Sequence, residues 1–77
     1  MKKIINEYAN YMVPFYVPAD FVIKKASGSH VWDIKNKKYI DFTAGIAVTN
    51  LGHSNKDLIK ILKKQSEELW HLSNLYI

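Results

Sequence analysis

Few residues in this 77-residue sequence have the types and spacing that carry chemistry. There is no cysteine, and the three histidines, His30, His53 and His71, lie too far apart in sequence for an H-x-x-x-H metal site. No serine, histidine and aspartate form a recognisable triad, and neither common glycine-rich phosphate loop is present. Disulfides and thiolate metal sites are therefore excluded, and we predict no catalytic, cofactor-binding or metal-binding residue within the chain.

The remaining polar candidates favour structural roles. Asp33 and Asp41 lie in a predicted β-hairpin, where we expect an acidic side chain to support the structure rather than a reaction. His53 follows Gly52 just before a predicted helix, so we expect it to hydrogen-bond the turn. Composition and spacing alone thus predict a small α+β piece and assign it no function.

The charge and hydropathy of the chain argue against two classes of partner. The formal net charge is +4, but all eleven basic residues are lysine. Arginine is the usual residue for bidentate recognition of phosphate and guanine, so its absence favours solvated lysines over a nucleic-acid interface. No apolar run is long enough to span a bilayer, and the first residues lack the apolar core of a secretory signal. We expect a cytoplasmic protein that binds neither nucleic acid nor a membrane.

The first predicted element is an amphipathic helix over residues 2–12, which forms the N-terminal segment 1–12. Pro14 ends it, because the residue before a proline is driven out of the helical region. Apolar residues at helical spacing form one stripe on this helix: Ile4, Ile5, Tyr8, Tyr11 and Met12. We expect the stripe to dock on the rest of the fold or on another subunit.

The second segment, 13–54, is predicted to hold an extended stretch, a β-hairpin and a glycine-rich loop. Two prolines keep 13–20 extended, and a short strand follows at Phe21–Lys25. Side chains in residues 30–42 alternate between two faces, which predicts a hairpin. Its turn contains Asn36, a residue that tolerates the left-handed conformation. Residues 43–52 show no helix or strand period, so we expect a loop whose glycines permit close backbone approach.

The third segment, 55–77, contains the strongest helix prediction, over residues 55–70. Ser54 is the predicted N-cap, with Asp57 in the first turn. The residues after the helix are apolar and aromatic, which favours a chain cut from a larger protein. Chains of this size bury only about 60% of their unfolded surface, so we expect no self-sufficient core without a partner or further chain.

Several motifs in fixed order resemble the start of class III aminotransferases. The resemblance covers about residues 13–77. The motifs are Tyr16–Phe21, Gly28–Asp33, Lys38–Phe42, Ala44–Val48, Leu51–His53 and Leu69–Tyr76. The run Gly-Ile-Ala-Val and the run Leu-Trp-His-Leu-Ser-Asn are similar to the acetylornithine branch. Two departures stand out: Asn36 replaces a usual glycine, and Asn55-Lys56 replaces a usual His-Pro, a helix-start preference without chemistry.

The resemblance implies the N-terminal segment of a fold type I, pyridoxal-phosphate-dependent transferase that is an obligate homodimer. Such an enzyme moves an amino group between N-acetylornithine and 2-oxoglutarate in arginine biosynthesis. The family's Schiff-base lysine, its acid facing the pyridine nitrogen, its phosphate cradle and its carboxylate-binding arginine all lie further along the chain. None of those positions exists here, so we expect pyridoxal phosphate to bind the complete enzyme and not this chain alone, which should be inactive.

Three residues acquire roles from the same resemblance. Tyr16 would lie beside the substrate, and Ile46 would line the pocket wall, where ornithine aminotransferases carry a tyrosine and an isoleucine suits an acylated side chain. Asn74 would lie at the dimer interface or the edge of the active site.

Two other functions stay open on the sequence alone. The chain could be a free-standing small binding or regulatory protein derived from an aminotransferase start, or a basic nucleic-acid binder, which the lack of arginine disfavours. The range of acyl-amine substrates is also open, including whether succinyl-diaminopimelate is among them.

Overall fold

The order of the elements follows the sequence pattern closely. The computed structural model describes all 77 residues, and its elements are α1 (Lys2–Tyr11), β1 (Ile23–Ser27), β2 (His30–Asp33), β3 (Lys38–Ile40), α2 (Ala44–Ala47) and α3 (Lys56–Glu68). The predicted α+β class, with a helix, a short strand, a hairpin and a second helix, is confirmed. Each of the two long helices is one to two residues shorter than predicted at its C-terminal end.

The three strands form one antiparallel sheet in the order β1-β2-β3. Ser27 of β1 pairs with His30 of β2, and His30 in turn pairs with Ile40 of β3. The first strand was predicted at Phe21–Lys25 but runs from Ile23 to Ser27, because its pairing with β2 continues to the turn at Gly28. The third strand ends at Ile40 rather than Phe42, and Phe42 is exposed.

Aromatic side chains and lysines cover the sheet in place of a hydrophobic layer. Lys25, Trp32 and Lys38 form one cross-strand row, with the two ammonium groups 5.1 and 5.7 Å from the indole ring. Phe21 stacks on Tyr39 with 4.7 Å between ring centroids. Cation–π contacts at partly exposed sites contribute about 0.5–1 kcal/mol each, so this row stabilises the register of the sheet modestly.

Asp33 is the only residue buried in the chain, and it fixes the hairpin turn. Its Oδ1 accepts hydrogen bonds from the backbone N–H groups of Lys35 and Lys37, and its Oδ2 accepts one from the Tyr39 hydroxyl. Asn36 has a φ of 65°, as predicted for the left-handed turn position. The structural role expected for Asp33 is confirmed.

These contacts set the pKa values of both side chains. Burial alone would raise the pKa of Asp33, but the hydrogen bonds from Lys37 N–H, the Tyr39 hydroxyl and Lys35 N–H hold it below its ordinary value. The pKa of Tyr39 is raised, first by burial and then because its hydroxyl donates to the Asp33 carboxylate. The turn is therefore held by an ionised carboxylate.

The start of α3 differs from the prediction. Asn55, not Ser54, is the N-cap, and its side chain accepts hydrogen bonds from the N–H groups of Asp57 and Leu58. Ser54 has a φ of 55° and its hydroxyl donates to the Ala26 carbonyl at 2.8 Å. Serine and asparagine are both good caps, and here the serine is recruited to tie the chain to the sheet.

The predicted loop over residues 43–52 contains one unexpected helical turn, α2. All four of its residues have positive φ: 50° at Ala44, 61° at Gly45, 64° at Ile46 and 59° at Ala47. The turn is therefore left-handed, and the Val48 N–H donates to the Ala44 carbonyl at 2.7 Å. This conformation costs an L-residue about 1–2 kcal/mol, so a left-handed turn has no characteristic sequence period from which it could be predicted.

No apolar side chain is buried anywhere in the chain. Neither α1 nor α3 packs on another helix or on the sheet. The radius of gyration is 17.1 Å, whereas a compact chain of this length would have about 11.5 Å. The expectation that the chain forms no self-sufficient core is confirmed, and the apolar faces of α1 and α3 lie open. Neither helix has the length and hydropathy needed to cross a bilayer.

The Asp33 turn predicts a specific response to acid. Because the folded pKa of Asp33 lies below its unfolded value of about 3.9, its ionised form stabilises the turn above about pH 4, and this stabilisation is lost as the pH falls through the folded pKa. In an NMR titration, the amide shifts of Lys35 and Lys37 should move with a midpoint below 3.9, and Asp33→Asn should abolish that step. Asp57→Asn, an exposed carboxylate on α3, is the matched control and should leave both amide titrations unchanged. A midpoint at or above 3.9 would show that the carboxylate does not hold the turn.

Candidate functional site

The side chain of Asp41 connects the end of the sheet to α2. Its Oδ1 accepts hydrogen bonds from the Thr43 N–H at 3.0 Å, the Thr43 hydroxyl at 2.9 Å and the Ala44 N–H at 3.0 Å. Its own backbone N–H donates to the Ser29 carbonyl at 2.8 Å. Asp41 therefore anchors the first residues of the left-handed turn to the turn between β1 and β2.

His53 approaches the same carboxylate from the other end of the loop. Its Nε2 lies 2.6 Å from Asp41 Oδ2, and both side chains are mostly buried. The pKa of Asp41 is lowered, first by this hydrogen bond and then by those from Ala44 and Thr43. We predicted that His53 hydrogen-bonds the turn before α3, but its ring instead contacts the carboxylate of Asp41, twelve residues earlier in the chain.

Two glycines allow the loop to reach the sheet. Gly28 and His53 exchange backbone hydrogen bonds, each at 2.9 Å, as an isolated antiparallel bridge. A Cβ on Gly52, whose φ is 83°, would lie 3.2 Å from the Gly28 Cα and 3.3 Å from its carbonyl oxygen. The close backbone approach predicted for this loop is therefore found at Gly52.

The contacts of Asp41, His53 and Gly52 hold a loop whose middle residue, Ile46, faces solvent. Its side chain is 92% exposed at the middle of α2, and its own φ of 64° is an outlier for a β-branched residue. Val48, just beyond the turn, is also exposed. A strained segment with an exposed apolar side chain is an arrangement found at functional sites more often than in scaffolds.

Tyr16 lies in a different place, on the extended stretch after the N-terminal helix. It lines a cavity of about 580 Å³ between α1 and the extended stretch 13–22, and the cavity wall is mainly apolar. Tyr16 itself is 84% exposed. Neither Ile46 nor Asn74 lines this cavity. Asn74 is exposed in the turn after α3, where the Leu75 N–H donates to the Ser73 hydroxyl. Tyr16 therefore shares this cavity with neither of the other two predicted site residues.

Comparison with known proteins identifies the family. The family model for class-III aminotransferases matches residues 11–77, which is most of the chain. The chain belongs to the class-III aminotransferase family. Within this family, the acetylornithine/succinyldiaminopimelate aminotransferase of Photorhabdus laumondii is 49% identical over 71 residues, covering 92% of this chain and 18% of that protein.

Solved class-III aminotransferases share the fold described above. The ornithine aminotransferase of Toxoplasma gondii superposes with a TM-score of 0.92 at 30% identity over 99% of this chain and 18% of that one. The acetylornithine aminotransferase of Elizabethkingia anophelis gives a TM-score of 0.91 at 28% identity, again over 99% of this chain and 19% of that one. The 77 residues therefore span about a fifth of the length of the class-III aminotransferases that they match.

The residues present here do not by themselves fit the cofactor that the class-III family implies. The Toxoplasma gondii structure describes pyridoxal phosphate at the active site of that protein. A phosphate group needs cationic or N–H donors, yet the cavity beside Tyr16 has Asp20 as its one charged lining residue. A carboxylate would repel a phosphate, so this cavity does not suit the cofactor.

Sequence reasoning did not find that Asp41 and His53 form a pair in this class-III segment. Each was interpreted separately, as a hairpin acid and as a turn histidine. One signal was available: Asp41 precedes Thr43 and Ala44 at the spacing of an Asx turn, in which a carboxylate accepts from N–H groups two and three residues on. The contact with His53, twelve residues away, had no signal in the sequence pattern.

The glycine contact yields a prediction about substitution at two neighbouring sites. In Gly28→Ala the new Cβ meets no atom within 4 Å, but residue 28 keeps a φ of 56°. We therefore expect the local opening free energy to fall by about 1 kcal/mol. Gly52→Ala meets the Gly28 backbone as well, so the local opening free energy should fall by about 2–4 kcal/mol. Amide hydrogen exchange at Gly28 and His53 measures this opening directly. Equal exchange rates in the two variants would show that the close approach does not restrict the loop.

Proposed function

We propose that this chain is the N-terminal segment of an aminotransferase that moves an amino group between N-acetylornithine and 2-oxoglutarate in arginine biosynthesis. The observation that carries the proposal is the family match over residues 11–77, with 49% identity to an acetylornithine/succinyldiaminopimelate aminotransferase. The complete enzyme would bind pyridoxal phosphate, which supplies an electron sink for amino-group chemistry. The family resemblance also supports a cytoplasmic homodimer.

The exposed apolar surfaces of the chain support its assignment to a larger enzyme. The stripe on α1 and the apolar face of α3 are open, and the chain spans 18% of the Photorhabdus laumondii relative. Large contiguous apolar patches are rare on complete monomeric proteins and mark surfaces that contact other protein. In the complete enzyme these faces would pack against the remaining chain or the second subunit.

Within this proposal, the three predicted site residues keep distinct roles. Ile46 would line the pocket wall that accepts the acylated side chain, which its 92% exposure on a strained turn supports. Tyr16 would orient the substrate through its hydroxyl, which is held on a stretch braced by two prolines. Asn74 would lie at the subunit interface or the active-site edge, and its exposure after α3 is consistent with either.

The proposal is tested by a chimera in which this chain replaces the matching segment of the Photorhabdus laumondii enzyme. We expect the chimera to transfer the amino group of N-acetylornithine to 2-oxoglutarate at a rate close to that of the unaltered enzyme. Unaltered enzyme, and the same enzyme without its N-terminal segment, are the controls. A chimera that folds, holds pyridoxal phosphate and shows no transfer would contradict the proposal.

The gene supplies an independent check. An in-frame continuation beyond codon 77 that encodes the rest of a class-III aminotransferase supports the proposal. A stop codon at that point, together with a stably folded 77-residue product in cells, would favour a small binding or regulatory protein instead.

The role of Ile46 predicts a change in substrate preference. In the chimera, Ile46→Tyr adds bulk and a polar tip to the pocket wall, so the preference for N-acetylornithine over ornithine should fall by on the order of tenfold. Tyr16→Phe should instead lower kcat/KM for both substrates through lost orientation, by an amount that corresponds to about 1–3 kcal/mol of transition-state stabilisation. Steady-state kinetics with both amines separate the two effects. An unchanged preference in a normally folded Ile46→Tyr chimera would mean that Ile46 only packs the loop.

The separated chain should not bind the cofactor at one site. Incubation of the 77-residue chain with pyridoxal phosphate, reduction with borohydride and peptide mapping should give weak labelling scattered over the lysines. A complete class-III aminotransferase provides the positive control. A single lysine modified stoichiometrically would contradict this prediction and would place a cofactor site within the segment.

A further inference from the structure

We infer that Asp41 and His53 are positioning residues that set the backbone of α2 and so fix where Ile46 meets the substrate. The role of Ile46 in this inference rests on the proposed function. The restraint of the backbone rests on the structure of the chain alone.

The turn needs an external restraint because its conformation is costly. Three of its four residues, Ala44, Ile46 and Ala47, carry a Cβ yet have φ values between 50° and 64°. Consecutive L-residues rarely occupy this region, and they persist there only when surrounding contacts determine the conformation. The backbone hydrogen bonds of α2 itself, such as Ala47 N–H to the Thr43 carbonyl at 2.9 Å, close a single turn only.

Asp41 is the only side chain that hydrogen-bonds the backbone of residues 43–48. Its Oδ1 holds the N–H groups of Thr43 and Ala44, the entry to the turn, each at 3.0 Å. If the carboxylate rotated, it would release the turn entry. The orientation of this one carboxylate therefore determines whether the strained conformation is retained.

His53 sets that orientation from the opposite side. Its Nε2 contacts Oδ2 of the carboxylate at 2.6 Å, which leaves Oδ1 directed at the turn. The histidine is itself held by its two backbone hydrogen bonds to Gly28, and the Asp41 N–H is held by the Ser29 carbonyl. Both members of the pair are thus anchored to the same β1–β2 turn, which makes that turn the reference point for α2.

The geometry separates this role from general stabilisation of the loop. Ser54 is adjacent to His53 and also ties the loop to the sheet, through its hydroxyl and the Ala26 carbonyl at 2.8 Å. It makes no hydrogen bond to the Asp41 carboxylate or to α2. Ser54→Ala therefore removes one loop-to-sheet hydrogen bond without releasing the turn, and it is the matched control for His53→Ala.

The first test uses the chimera described above and measures the KM and kcat for N-acetylornithine and ornithine. We expect His53→Ala to raise the KM for N-acetylornithine about tenfold and to reduce the preference over ornithine, with kcat changed less than about threefold. His53→Gln should restore most of the preference, because its amide N–H can donate to Asp41 Oδ2. Ser54→Ala should leave the preference unchanged. Loss of kcat alone, or equal effects of His53→Ala and Ser54→Ala, would overturn the inference.

The second test is independent of activity and uses crystal structures of the chimera and its variants, since the separated chain has no core of its own. These structures give the φ of Ile46 directly. We expect positive φ in the unaltered chimera, in Ser54→Ala and in His53→Gln, and its loss in His53→Ala and Asp41→Ala. A positive φ at Ile46 in His53→Ala would overturn the inference. An inactive chimera with the expected φ values would instead count against the proposed function alone.

Discussion

Two backbone hydrogen bonds between Gly28 and His53 determine how the parts of this chain meet. They join the turn between β1 and β2 to the residues just before α3, although 25 positions separate them in sequence. The contact is possible because Gly52 has no Cβ, which would lie only 3.2 Å from the Gly28 Cα. With no buried apolar side chain to hold the chain together, this bridge and the polar groups beside it fix the path of residues 41–55.

Polar contacts thus fix the conformation of this chain, as a hydrophobic core does in a larger domain. Asp33 organises the hairpin turn and Asp41 organises α2, each by directing carboxylate oxygens at successive N–H groups. Such contacts are local and directional, so they define turns accurately while burying little surface. They do not replace the stability of packing, since a net hydrogen bond contributes about 0.5–1.5 kcal/mol. The apolar faces of α1 and α3 are packing surfaces that no other helix or strand of the chain covers.

The family and the local geometry together suggest why a strained turn is maintained. Under the proposed function, the complete enzyme would discriminate between amines that differ mainly in an acyl group, and a pocket wall at a fixed position would serve that task. A flexible loop would let Ile46 adapt to either amine and would weaken that discrimination. On our inference, Asp41 and His53 would hold α2 in its unfavourable conformation and so keep the wall rigid at the cost of local strain.

The sequence by itself determined the class of the fold, the order of its elements and its family. The hairpin, α1 and α3 were predictable because their signals are local: alternation, helical spacing, prolines and Asn36 at a left-handed position. The family followed from ordered motifs, and Tyr16, Ile46 and Asn74 follow from that resemblance alone. Only the tertiary structure decided that Asn55 rather than Ser54 caps α3, that residues 44–47 form a left-handed turn, and that Asp41 meets His53. The cap and the Asp41–His53 pair depend on contacts between residues far apart in sequence, Ser54 with Ala26 and Asp41 with His53, about which local propensity carries no information. The hydrogen bonds of the left-handed turn are local, but residue propensities disfavour consecutive L-residues at positive φ and so do not predict it.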